Sequence, residues 1–147
     1  MANEIILHKS NSMIMDGDSN ALEMANSQMG NLYLTSNSVD FVAGGGVLQF
    51  GLNMKNKKYV SSDIAKQKHV CIPLEDIAGL ECIVHKTIFK KYATMRIHLN
   101  NGMAVFFSVG GGGKLEDTAQ WLDAIRLQCS NNGLKRPYLK VNGELVN

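Results

Sequence analysis

Apolar and polar positions alternate through the middle of the chain, and residues two apart share one face of a strand. Leu32 and Leu34 alternate with Tyr33 and Thr35, and Val39 and Phe41 resume the pattern after Ser36-Asn37-Ser38, which predicts a β-hairpin. Val70, Ile72 and Leu74 mark one face of a further strand, and Leu80, Cys82 and Val84 another, with Glu75-Asp76 at the corner between them. Pro73 removes a ladder donor, so its strand is expected at a sheet edge or beside a bulge. The strongest hairpin signal runs from Thr94 to Val109: Met95, Ile97 and Leu99 alternate with Thr94, Arg96 and His98, and Asn101-Gly102 supplies the turn.

After Gly110 to Gly113 the period lengthens. Leu115, Ala119, Leu122, Ile125 and Cys129 step by four or three and form one stripe of an amphipathic helix. Glu116 and Asp117 sit in its first turn, where carboxylates favour the helix dipole, and Asn132-Gly133 with Pro137 ends it. Trp121 flanks the stripe and is expected to pack on the strands. The tail, Tyr138 to Val146, reads as a second hairpin around Asn142-Gly143. Near the start, Glu4 to Lys9 and Leu22 to Asn26 are strand candidates on either side of a turn-rich Asp16 to Asn20. Strands followed by one helix predict a mainly β fold, a curved sheet or small barrel whose open end the helix covers.

Gly30-Asn31-Leu32-Tyr33-Leu34-Thr35 with the downstream Phe41 resembles the opening hairpin of the GRAM and pleckstrin-homology-like superfamily, including its bacterial members. Ile72-Pro73-Leu74-Glu75-Asp76-Ile77 is similar to the family's Ile-Pro-Leu corner, and the Asn101-Gly102 hairpin, Phe106-Phe107 and the Trp121 helix follow in the same order. The resemblance implies a strongly bent antiparallel sheet or barrel of about seven strands with a C-terminal α-helix. The domain spans residues 21–131, with 1–20 as an N-terminal strand or extension and 132–147 as a tail. It implies a binding role toward lipid headgroups or proteins, without catalysis and without a cofactor. In one respect the chain departs from the family: phosphoinositide-binding members carry basic residues around the first hairpin, whereas Asp16, Asp18 and Glu23 here precede an uncharged Asn31 to Ser38.

The 147 residues suit one domain, and 45% hydrophobic with 19% charged residues is a globular composition that excludes disordered and fibrous classes. Met1 to Ser10 offers only the apolar run Ile5-Ile6-Leu7, short of the roughly 7 to 15 residues of a signal peptide, and no window reaches the roughly 18 that span a bilayer. Cys71, Cys82 and Cys129 lie in apolar runs and read as reduced core thiols. A cytoplasmic protein, peripheral at any membrane it touches, is the expectation.

Charge is where function enters. The net +2 conceals two basic stretches: Asn53 to Lys68, with Lys55, Lys57, Lys58, Lys66 and Lys68 against Asp63, and Val84 to Arg96, with Lys86, Lys90, Lys91 and Arg96 and no acid. Each sums to +4 and leaves −6 for the rest. These nine residues are the candidate anion-binding set, facing an anionic lipid surface or an acidic protein if the two loops meet, and solvated loops otherwise. Lysine in place of arginine favours diffuse attraction over bidentate phosphate recognition. Tyr59, Phe89 and Tyr92 among the lysines leave a stacking surface for nucleic acid as a lesser expectation.

Other chemistry finds little support. Gly110-Gly111-Gly112-Gly113-Lys114 lacks the spacing of a phosphate loop, because Ser108 stands six before the lysine and Leu115 after it. His69-x-Cys71 could converge on one strand face, but Cys82 and His85 are three apart and point oppositely, so no metal site is expected. No serine elbow or cysteine nucleophile is present, and no catalytic residue is expected. Two readings result: a binding module acting through basic loops, or a self-associating module using the strand edge at Pro73 or Val47, Leu48, Phe50 and Leu52.

Overall fold

A computed structural model describes residues 4–15, 28–43, 69–110 and 112–146. They form β1 (Ile5–Met15), β2 (Gln28–Thr35), β3 (Ser38–Ala43), β4 (His69–Pro73), β5 (Ile77–Lys86), β6 (Lys91–Leu99), β7 (Ala104–Ser108), α1 (Leu115–Asn131), β8 (Tyr138–Val141) and β9 (Glu144–Val146). One open sheet runs in the order β4-β3-β2-β1-β7-β6-β5-β8-β9. The mainly β expectation with one helix holds for the described residues. The strand number differs: the described residues form nine, where about seven were expected, and the two beyond seven are the tail strands. The sheet is also not wholly antiparallel, because β8 runs parallel to β5, with Gly79 opposite Tyr138.

Three turns follow their sequence signals. Leu34 pairs with Val39 across the first hairpin, where the Thr35 hydroxyl accepts the Ser38 amide at 3.0 Å. Between β6 and β7, Gly102 takes φ 89 and its amide donates to the Leu99 carbonyl. Between β8 and β9, Asn142 at φ 50 and Gly143 at φ 86 take consecutive positive φ values, as a type I′ turn requires. Pro73 lies in β4, opposite Ser38, and β4 is the edge of the sheet formed by the described residues, where a missing donor breaks no ladder among them. Leu22 to Asn26, Asp16 to Asn20 and the Gly44 to Lys68 connection lie outside the described residues.

β1 makes the sheet bend. Its register against β2 slips between Lys9 and Ser12, with Asn11 at φ 55, and beyond the slip Met13 and Ile14 also pair with Ser108 and Phe107 of β7. Phe41 on β3 and Phe107 on β7 are three strand spacings apart, roughly 14 Å on a flat sheet. Their rings nevertheless stand 6.0 Å apart, so the sheet curls around one core. That core takes Leu32, Leu34, Val39, Val70, Ile72, Leu80, Met95, Ile97 and Phe107 from the strands, and Trp121, Leu122, Ile125 and Cys129 from the helix.

The helix face is rotated from the predicted stripe. Leu122, Ile125 and Cys129 are buried and Trp121 packs inward, as expected, but Leu115 is 37% exposed and Ala119 is exposed, while Thr118 and Arg126 are buried instead. The indole of Trp121, 2% exposed, presents far more apolar surface than an alanine methyl and takes its place in the core. The C-terminal end of the helix is tied to the first hairpin, since the amides of Gln128 and Asn132 both donate to the Ser36 carbonyl.

Where β8 joins the sheet, the Tyr138 ring lies over Gly79, and a Cβ at that position would overlap it. Gly79→Ala should therefore lower stability by about 1–3 kcal/mol as the ring and β8 give way. Urea unfolding measures it, and a loss below about 0.5 kcal/mol would mean that β8 is held loosely.

Candidate functional site

The β5–β6 hairpin projects the basic residues of the second charged stretch. Nine residue pairs join its strands, and the last is Lys86 opposite Lys91. Thr87 closes the turn: its amide donates to the Lys90 carbonyl at 2.8 Å, and its hydroxyl donates to the same oxygen and accepts the Lys90 amide at 3.1 Å. Ile88 and Phe89 occupy the two corner positions and are 92% and 94% exposed. Turn corners normally carry glycine, proline, asparagine or aspartate, because those residues suit the backbone and water. Here two large apolar side chains stand in solvent, ringed by the exposed Lys86, Lys90 and Lys91.

Below the tip the hairpin is braced. His85 and Tyr92 face each other across the ladder and stack at 4.8 Å, His85 Nε2 lies 3.1 Å from Thr94 Oγ1, and Lys90 Nζ stands 5.9 Å over the Tyr92 ring. Burial holds the imidazole pKa below its ordinary value. The directly opposed lysines work against the ladder, since like charges across a strand pair repel. An end of a hairpin that carries repelling cations and unburied apolar groups is not arranged for stability.

Of the nine candidate residues, Lys86, Lys90 and Lys91 come together at this tip. Arg96 stands apart: it lies opposite Glu81 at 3.6 Å and over the Phe106 ring at 4.2 Å, with little of its side chain reaching solvent. His98 Nε2 reaches the same Glu81 oxygen at 3.1 Å. Lys55, Lys57, Lys58, Lys66 and Lys68 lie outside the described residues, as do Tyr59 and Val47, Leu48, Phe50 and Leu52. Ile88 was not among the candidates, although an apolar pair set between Lys86 and Lys90-Lys91 is itself a signal.

The other chemical groups have structural partners. Asp40 and Cys71 are cross-strand neighbours on the face of β3 and β4 opposite the core. The Cys71 thiol is pushed up to about 12, first by burial and then by the Asp40 carboxylate, so it stays protonated and donates to Asp40. Cys82 packs in the core. The glycine run turns the chain into the helix with Gly110 at φ 77 and Gly113 at φ 57, and the Ala93 amide donates to the Gly113 carbonyl at 2.7 Å. At the far end of β5 a depression of about 310 Å³ is lined by Leu74, Ile77, Ala78, Leu134 and Tyr138 together with Glu75, Asn100 and Lys135. Among the described residues no helix is long and apolar enough to cross a membrane.

The chain matches no protein-family model and no curated protein. Among solved structures it is similar to the hSac2 domain from the human phosphoinositide phosphatase Sac2, at 14% identity and a TM-score of 0.52 over 95% of this chain and 76% of that one. It is also similar to the C-terminal domain of an unknown protein from Leishmania infantum, at 13% identity and a TM-score of 0.49 over 86% of this chain and 84% of that one. At such identity the first likeness shows a related fold.

Proposed function

We propose that this chain is a non-catalytic, pleckstrin-homology-like binding module that works in the cytoplasm and engages an anionic surface through the tip of its β5–β6 hairpin. One observation carries the reading: Lys86, Lys90 and Lys91 converge on a single exposed tip, and no carboxylate occurs between Val84 and Arg96 to offset them. Their fields add, and an anionic surface within a Debye length of roughly 8 Å is attracted to all three at once. The fold likeness to a domain of a phosphoinositide phosphatase is in keeping with lipid as the anionic partner.

Co-sedimentation with phosphatidylserine-containing and neutral vesicles tests this. Binding should favour the anionic vesicles and fall as salt rises. At about 1 kcal/mol per lysine near such a surface, Lys86→Gln, Lys90→Gln and Lys91→Gln together should weaken it roughly 100-fold at low salt. These side chains are exposed, so thermal unfolding should be nearly unchanged. Equal binding to both vesicle types at every salt concentration would overturn the reading.

A further inference from the structure

We infer that the β5–β6 tip is a bilayer-insertion device, in which Ile88 and Phe89 enter the hydrocarbon while Lys86, Lys90 and Lys91 contact the phosphate layer. The inference rests on the anionic-surface reading and adds its partner and depth. It starts from the anomaly at the corners: the two most exposed large apolar side chains among the described residues are adjacent, at 92% and 94%, on a turn that the Thr87 clamp holds in shape. Ordered presentation of apolar groups to water is unfavourable unless another phase receives them.

The kind of phase follows from shape and charge. Two such side chains offer on the order of 300 Å², well under the roughly 800 Å² per partner of a stable protein interface, and they stand on a protruding tip. A rigid protein surface would need a matching pocket, whereas a fluid bilayer closes around any convex tip. A second copy of this chain docked tip to tip would bring six lysines together and be repelled.

The order of groups along the hairpin matches the layers of a membrane. Ile88 and Phe89 lead, the lysine ring follows, and Tyr92 with His85 comes next, its stacked rings half-buried. At about 3.3 Å per strand residue, Tyr92 lies roughly 10 Å behind Phe89. That is the span from the acyl boundary to the headgroup level, where tyrosine concentrates and where surface-bound segments penetrate about 5–10 Å. The lysine stems are long enough to keep their ammonium groups among phosphates while the tip goes deeper.

Two variants of the full chain test insertion separately from attraction. Phe89→Trp places an indole at the tip, beside the buried Trp121 as a constant background. With phosphatidylserine vesicles its emission should shift to the blue and be quenched by lipids brominated along the acyl chain. Ile88→Ser with Phe89→Ser should lower vesicle affinity on the order of 100-fold, from the lost burial of two large side chains, while the salt needed to elute it from heparin stays that of the parent. If the Phe89→Trp protein binds anionic vesicles with water-like emission, and the double serine variant binds as the parent does, insertion is wrong and electrostatic attraction stands. If the parent binds neither these vesicles nor heparin at low salt, both readings fall.

Discussion

Trp121→Ala should cost the fold about 3–5 kcal/mol, a large share of the roughly 5–15 kcal/mol available to a domain of this size. The indole is 2% exposed and sits in the main core that the curled sheet encloses. Its neighbours Leu122, Ile125 and Cys129 belong to the same stripe, so removing the largest member opens a cavity that the rigid strands cannot close. The polar ties of the helix do not compensate, because Lys9 to Asp117 at 3.0 Å is a partly exposed pair worth under about 1 kcal/mol. Urea unfolding followed by circular dichroism measures the loss without the tryptophan signal. Leu115→Ala, on the same helix at 37% exposure, is the comparison and should cost far less. Equal losses at the two positions would mean that the helix is held by its length and not by its indole.

Asp40→Asn should stabilise the protein above neutral pH and have little effect in acid. Asp40 is a buried carboxyl whose Oδ1 has no hydrogen-bond partner among the described residues, and burial raises its pKa from 3.8 to about 6 against the opposing bonds from Cys71 and Ser38. Below about pH 4 the folded and unfolded chains both hold the proton. Between about pH 4 and 6 the unfolded chain has released the proton while the folded chain still holds it, so stability falls with pH across that window, by about 3 kcal/mol in all, and levels off once the folded chain ionises above 6. Asparagine cannot ionise, and its amide oxygen still accepts the same donors. Denaturation at pH 5 and pH 8 reads the effect: the variant's advantage should be a few kcal/mol at pH 8 and shrink at pH 5. An advantage independent of pH would mean that the carboxyl stays solvated.

The two side chains mark the two ways in which sequence pattern and structure relate here. Trp121 was legible, since a helical stripe next to an indole has one apolar direction in which to pack. Asp40 was not, because alternation assigns Val39 and Phe41 to the core and leaves Asp40 on the other face, where a polar residue is ordinarily wet. In the structure both faces of β2, β3 and β4 are buried, with Tyr33, Val42 and Cys71 packed together on the second face. Period-2 reasoning identifies the two faces of a strand and says nothing of whether a second layer covers the outer one.

The candidate site divides in the same way. Lys86, Lys90 and Lys91 were legible as a run of charge because they are neighbours in sequence. Arg96 belongs to that run in sequence but is five positions further along β6, where cross-strand register sets it against Glu81. The apolar pair Ile88-Phe89 between lysines was a signal in the sequence, but its exposure was not, because such a pair reads equally as the end of a buried strand until the turn is located.

By itself the sequence determined the local elements: the hairpins at Ser36-Asn37, Asn101-Gly102 and Asn142-Gly143, and the helix with its stop at Gly133; for Pro73 it left a sheet edge or a bulge. Each follows from backbone chemistry acting over a few residues, so the information is contiguous. Tertiary structure decided how those pieces join: the curl at Asn11, the parallel docking of β8 on β5 that extends the described sheet to nine strands, and the rotation of the helix that leaves Leu115 and Ala119 outside and buries Thr118 and Arg126. These depend on which apolar surfaces meet across long separations, and it is that meeting which sets the described core away from the β5–β6 tip and leaves Ile88 and Phe89 exposed.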